Sequence, residues 1–166
     1  MNNQLTNRLF AGFIILLLAS FSYLGSLFSS GSDSTKYTAA NGMYTVTRVV
    51  DGDTIKVSRD GIHDTVRLLG IDTPETVHPE KPVECFGIEA SNYAKQLLAG
   101  KEVRLETDPS QSLRDRHERL LAYVFVDDTN INEKLVTDGY AYEFTYDQPY
   151  EYQKEFKRAE KTARED

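Results

Sequence analysis

The chain has 166 residues, 40% of them hydrophobic and 27% charged, with one cysteine and no tryptophan, which places it among ordinary globular proteins with room for one domain. The lone Cys85 excludes an intramolecular disulfide framework and a Cys-rich zinc site. A net charge of -7 argues against nucleic-acid binding through bulk positive charge, since such proteins displace phosphate counterions with Lys and Arg, but it leaves room for a local basic site.

Residues 9–28, LFAGFIILLLASFSYLGSLF, carry no charge and follow Arg8. At about 1.5 Å per residue a helix of that length crosses a hydrocarbon core about 30 Å thick. A basic flank before an apolar run is shared by secretory signal peptides and amino-terminal membrane anchors, so residues 1–28 are expected to direct the chain out of the cytoplasm. The scattered small residues Ser20, Ser22, Gly25, Ser26, Ser29 and Ser30 form no single A-x-A site, which leaves cleavage and anchoring both open. Residues 29–42, rich in Ser, Thr, Gly and Ala, have too little apolar content to pack and read as a flexible linker. The folded domain is therefore expected over 43–166. Without residues 1–36 it carries 17 basic against 25 acidic residues, a charge of -8.

In chain order, Met43 to Val50, Thr54 to Ser58 and Asp64 to Ile71 read as strands from their β-branched and aromatic content. Asp51-Gly52-Asp53 and Arg59-Asp60-Gly61 are the turns between them, which makes a three-stranded meander. Phe86, Ala90, Tyr93, Ala94, Leu97 and Leu98 recur at helical spacing before Gly100. Val103 to Thr107 and Leu120 to Val126 add two strands. Ile131, Leu135 and Val136 before Gly139 predict a short helix, and Tyr152, Phe156, Ala159 and Ala163 predict a last one. The order fits an α+β fold, a five-stranded barrel of the oligonucleotide-binding (OB) type capped by about three helices.

The chemistry gathers in RVVDGDTIKV and VRLLGIDTPET. Arg67 lies within the run Val66-Arg67-Leu68-Leu69-Gly70-Ile71, and on one continuous strand it would share a face with Leu69 and Ile71 while Val66 and Leu68 take the other. A guanidinium desolvated there calls for an anion, either a protein carboxylate in a structural ion pair or a bound phosphate. Asp53 shares parity with Ile55 and Val57, which points it toward the core, although Asp-Gly-Asp alone reads as hairpin chemistry. Asp72 ends the third strand, and Asp72-x-x-Glu75 alone reads as a helix cap. In combination, carboxylates at strand ends beside a buried arginine offer hard oxygen ligands for a divalent cation and a clamp for phosphate.

The segments DGDTI and RLLGIDTPET, followed by ECFGIEAS, RDRHERLLAYVF and INEKLVTDGYA, resemble the staphylococcal nuclease family, the thermonucleases, from about Tyr44 to Tyr146. The resemblance implies a Ca²⁺-dependent nuclease that acts on DNA and/or RNA with little sequence preference and leaves 3′-phosphates and 5′-hydroxyls. It matches Asp53, Asp72 and the backbone carbonyl of Thr73 to metal ligands, and Arg67, Glu75 and Arg119 to catalytic positions. The expected enzyme is an extracytoplasmic monomer, with membrane contact only through residues 9–28 if the leader is retained. These roles make chemical sense. Two planar guanidinium forks and a cation neutralise charge on the phosphate oxygens, and Glu75 serves as general base or as the group that positions the attacking water.

Arg114 and Arg116 join Arg119 in a basic cluster, with a solvated loop as the simpler reading of the first two. Tyr142 and Tyr146 lie where relatives carry tyrosines near the nucleotide, but YAYEFTYDQ departs from the family pattern and neither is assigned. His63, His78 and His117 have no metal spacing and read as surface residues. Cys85 reads as a free thiol packed near the helix start. Two rival functions are a non-catalytic OB module that binds nucleic acid or protein, and a metal-assisted phosphoesterase for small esters. Retention of both arginines, Glu75 and both aspartates speaks against the first, and a comparison of polynucleotide with small-ester hydrolysis separates the second.

Overall fold

The computed structural model describes residues 42–76 and 84–165, all within the compact unit Ala39–Asp166. The expected leader, nearly all of the linker and His78 lie outside the described residues. Among the described residues no helix is long and apolar enough to cross a membrane.

Strands β1 (Met43–Val49), β2 (Thr54–Arg59) and β3 (Ile62–Leu68) form the antiparallel meander. Their inward residues Val46, Ile55, Val57, Val66 and Leu68 are each at most 2% exposed, so the period-2 pattern sorts core from surface. β1 bulges between Val46 and Arg48, and the Thr47 hydroxyl donates to the Lys56 carbonyl at 3.1 Å beside this irregularity. A bulge there increases strand twist and helps curl the sheet. β5 (Glu102–Glu106) pairs antiparallel with β1, and β6 (Leu120–Val126) with β5. A parallel pairing of β6 with β3, Val66 opposite Leu120 and Leu68 opposite Ala122, closes the barrel. The five-stranded OB-type α+β architecture is the one the sequence predicts.

Helix α1 (Gly87–Leu98) buries Ala90, Ala94 and Leu98. Phe86, expected on its apolar face, is instead the residue before the helix, at φ +70° and 45% exposed. Helix α2 (Ile131–Thr137) starts on the Asn130 side chain, which accepts from the Asn132 and Glu133 amides and satisfies two of the otherwise unpaired first-turn donors. Helix α3 (Gln153–Glu165) brings Phe156 against Tyr123 and Tyr152 on the outer side of β6. β6 is therefore buried on both faces, which explains its almost unbroken apolar run.

The strand expected over Asp64 to Ile71 is interrupted. β3 ends at Leu68, Gly70 takes φ +79°, and a separate two-residue strand β4 (Ile71–Asp72) pairs with β8 (Tyr142–Glu143). Leu69 and Ile71 thus do not continue the face that carries Arg67. Gly70 is required twice over, because its φ is left-handed and a Cβ would lie 2.6 Å from the Tyr150 ring. The Tyr150 hydroxyl and the Phe144 amide both donate to the Gly70 carbonyl, at 3.0 and 2.9 Å. The short strand β7 (Thr129–Asn130) extends the β6 edge.

Candidate active site

The β1–β2 turn, the end of β3, the β4 segment and the loop before β6 meet at one end of the barrel, around a cleft of about 170 Å³ lined by Asp51, Asp53, Arg67, Asp72, Thr73, Glu75 and Arg119. All six residues singled out in the sequence line it. They come from positions up to 66 residues apart, and barrel closure between β3 and β6 is what brings Arg119 to Arg67. The helix-cap reading of Asp72 and Glu75 is not realised, since α1 begins only at Gly87.

Arg67 is the hub. Its Nη1 donates to the carbonyls of Leu68 (2.9 Å) and Ile71 (2.8 Å), and its Nη2 lies 2.8 Å from Asp72 Oδ1 and 3.1 Å from Asp53 Oδ2. The side chain is only 14% exposed, so these partners meet the requirement that a desolvated guanidinium be paired. Asp53, 5% exposed, accepts at Oδ2 from the amide and hydroxyl of Thr73, at 3.1 and 3.2 Å, and at Oδ1 from the Thr54 hydroxyl at 3.0 Å. The turn can approach Thr73 this closely because residue 52 is glycine, where a Cβ would lie 2.7 Å from the Thr73 hydroxyl.

Arg119 is held from below by Asp115. Its Nε and Nη2 both lie 2.7 Å from Asp115 Oδ2, and Asp115 Oδ1 accepts from the amides of Arg119 and His117. Nη1 of Arg119 reaches the Thr54 hydroxyl at 3.3 Å, so a hydroxyl bridge runs from Arg119 through Thr54 to Asp53. Glu75 accepts at Oε1 from the Thr76 amide, and its backbone is tied to Glu84 by two hydrogen bonds.

Four carboxylates face two guanidiniums in the cleft, an excess of two negative charges. Burial, then the charges of Asp53 and Glu75, push the Asp51 carboxyl up to about 6, and burial together with Asp53 raises that of Asp72 despite Arg67. The donor set of carboxylates and a backbone carbonyl is hard oxygen, the kind that suits a divalent cation such as Ca²⁺, and the charge excess is of the sign a cation relieves. Among the described residues no three His, Cys, Asp or Glu side chains form a ready-made coordination cluster, because the carboxylates of Asp53 and Asp72 are drawn onto Arg67.

Sequence reasoning missed three residues here. Asp51 was absorbed into turn chemistry, although its place two residues before Asp53 was a usable signal. Thr54 and Asp115 acquire their roles only from partners brought in by the fold. Arg114 is committed elsewhere, its Nη1 and Nη2 reaching both carboxylate oxygens of Asp64 at 3.0 and 2.6 Å. Arg116 and His117 are exposed and bonded to each other at 3.1 Å, and His63 is exposed, as expected. Cys85 is exposed rather than packed, because it lies in the turn ahead of α1. Tyr142 sits opposite Asp72 in the β4–β8 ladder, with Phe144 and Tyr146 also exposed beyond it and their rings 6.2 Å apart.

Comparison with known proteins shows the family. Residues 65–166 match the family described as "Staphylococcal nuclease homologue". The chain is 40% identical over 154 residues to the thermonuclease of Staphylococcus hyicus, across 92% of this chain and 87% of that protein. It is 48% identical over 98 residues to the thermonuclease of Staphylococcus intermedius, covering 59% of this chain and 57% of that one. With endonuclease YncB of Bacillus subtilis strain 168 it shares 41% identity over 123 residues, or 74% of this chain and 58% of that one. A closed barrel, a cleft that joins carboxylates to two arginines, and relatives of this kind lead to one assignment: the chain belongs to the staphylococcal nuclease family and is a phosphodiester hydrolase of nucleic acids.

Proposed function

We propose that this nuclease is calcium-dependent, that it cleaves DNA and/or RNA with little sequence specificity to leave 3′-phosphates and 5′-hydroxyls, and that Arg67, Glu75 and Arg119 are its catalytic residues. The observation that carries the reading is the convergence of all six predicted residues on one cleft. Asp53, Asp72 and the Thr73 carbonyl would hold the cation, which when bound supplies Lewis-acid charge for the phosphate and orientation for water.

The protein's own groups divide the remaining work. Phosphodiester hydrolysis is slowed by charge crowding on the non-bridging oxygens, and Arg119, braced on Asp115, presents its Nη edge to them. Arg67 is held by two carbonyls at Nη1 and two carboxylates at Nη2, which fixes its guanidinium at the cleft as the second positive charge facing the phosphate. Glu75 takes a proton from the attacking water as the water oxygen bonds to phosphorus and the bond to the 5′-oxygen breaks, and the departing oxygen takes a proton from solvent to become the 5′-hydroxyl. The Thr76 amide contact of Glu75 holds one carboxylate oxygen in place for this. The exposed rings of Tyr142, opposite Asp72 in the ladder, and of Phe144 and Tyr146 beyond it offer base-stacking surfaces that accept any base.

The uncharged stretch 9–28 supports export as a signal peptide or anchor, with residues 29–42 as tether and 43–166 as the nuclease domain. The test is digestion of single-stranded DNA by the full-length chain, with calcium supplied and then chelated, followed by end-group analysis. Cleavage that stops on chelation, returns with calcium and yields 3′-phosphates is the expected result. Cleavage indifferent to calcium, or 5′-phosphate products, would overturn the assignment.

A further inference from the structure

A second, larger concavity of about 660 Å³ adjoins the cleft and shares Arg119 with it. Its floor is the outer face of the β2–β3 ribbon. The register pairs Thr54 with Arg67, Lys56 with Thr65, and Ser58 with His63. Because side chains alternate along a strand, these three pairs stand on one face, each about 6.7 Å beyond the last. The first pair belongs to the cleft and the other two lead away from it. Thr47 flanks Lys56, and His117 overhangs the start of the groove from the loop that carries Arg119.

The lining side chains all end in polar or charged groups carried on apolar stems, and their charges are separable. Lys56 is exposed and makes no ion pair among the described residues. Asp64 also lines the groove but is neutralised by Arg114 at 2.6 Å. That leaves Glu118, exposed at the rim, as the opposing charge. His63, Thr65 and His117 supply further hydrogen-bonding groups.

We propose that this groove is an extended substrate subsite, which binds the sugar-phosphate backbone of the polynucleotide strand adjoining the scissile phosphodiester, with Lys56 as its phosphate contact. The proposal rests on the reading that the scissile phosphate lies between Arg67 and Arg119. A strand leaving that point has the groove as a continuous polar path, with steps of residue pairs to follow its backbone. Contacts to the backbone carry no sequence information, in keeping with an enzyme of little sequence specificity. With one uncompensated cation facing one anion, the subsite favours longer chains modestly.

The test compares the full-length chain with its Lys56→Glu and Glu118→Gln variants on a thymidine dinucleotide, which has a single phosphodiester, and on decathymidylate. Lys56→Glu is expected to lower kcat/KM for the decamer about tenfold and to leave the dinucleotide unchanged, while Glu118→Gln raises the decamer value about two- to threefold. Anisotropy titration of labelled decathymidylate over a salt series should show the log–log slope shallower by about 0.7 in Lys56→Ala, the signature of one lost single-strand phosphate contact. Equal losses on both substrates, or no loss on the decamer, would overturn the subsite. Should the wild type cleave neither substrate, the catalytic reading fails while the anisotropy comparison stands. Weaker decamer binding by Lys56→Glu would then still support the groove, and equal binding would refute it.

Discussion

Replacing Arg67 and Arg119, the two arginines proposed as catalytic, by lysine separates a structural job from a chemical one in similar side chains. Arg67 makes four polar contacts in a nearly dry setting, two to backbone carbonyls and two to carboxylates. A lysine ammonium is a point donor on a shorter stem, so it can neutralise Asp53 and Asp72 but cannot span the fork to Leu68 and Ile71 as well. Hydrogen bonds from a charged donor are worth about 1.5–3 kcal/mol each, and with partial recovery Arg67→Lys should destabilise the domain by about 2–4 kcal/mol. At a urea m-value of about 2 kcal/mol/M the midpoint falls by about 1–2 M. Arg119 is 29% exposed and its main partner is the local Asp115, so Arg119→Lys should cost under about 1 kcal/mol. Both variants should lose about 10²–10³-fold in kcat, as expected when a transition-state donor loses its geometry. Urea unfolding by fluorescence and single-stranded DNA hydrolysis measured side by side check this. Equal midpoints for wild type and Arg67→Lys would refute its structural role, and wild-type turnover in either variant would remove that arginine from the chemistry.

Three further outcomes follow from buried polar contacts. Asn132, fully buried, donates to the Leu69 and Ala122 carbonyls and accepts from the Val124 amide, so Asn132→Ala should cost about 3–5 kcal/mol in urea unfolding, chiefly from the donor and acceptors left without partners. Gly70→Ala should destabilise by about 2–4 kcal/mol and weaken activity through the displaced β4 segment, which thermal melts and turnover together would reveal; an unchanged melting temperature would contradict the close approach of Tyr150. Asp108 is held below the usual carboxylate range, because hydrogen bonds from the Glu151 amide, the Ser110 hydroxyl and amide and the Tyr123 hydroxyl outweigh the effect of burial. Its stabilisation is therefore complete above about pH 4, the ordinary aspartate value, and is lost as pH falls through the lower folded value, so the gap in melting temperature between wild type and Asp108→Asn should be widest near neutrality and shrink below about pH 4. A gap independent of pH would mean that the charge of Asp108 contributes nothing.

How much of this was legible beforehand depends on the range of the interactions involved. The alternation of Val46, Ile55, Val57, Val66 and Leu68 with polar neighbours is local and specifies both the strands and their inner face. The spacing of Leu135 and Val136 before Gly139 likewise specifies a short helix. Arg67 within an apolar run announced a buried cation in need of anions, and Asp53 and Asp72 are the partners that meet it. The motifs RLLGIDTPET and RDRHERLLAYVF, through the family resemblance, added Thr73, Glu75 and Arg119 as candidates, since a family pattern records a spatial arrangement in linear order.

Other features were decided by contacts between distant parts of the chain. Gly70 is the local residue that permits a break after Leu68, but the sequence around it does not show what the break accommodates. The break follows from Tyr150, 80 residues later, which packs against Gly70 and bonds its carbonyl. Only the family pattern separates Arg119 from Arg114 within one basic cluster, and the fold supplies the physical reason: Asp64, 50 residues away, takes Arg114 while the cleft receives Arg119. Asp51 read as a turn residue until the carboxylates of Asp53 and Glu75 were placed beside it. Periodicity and turn chemistry act over a few residues and are written directly in the chain. The partner of a buried charge, and the closure of β3 on β6 that assembles the cleft, arise only when segments far apart in sequence share the same low-dielectric space.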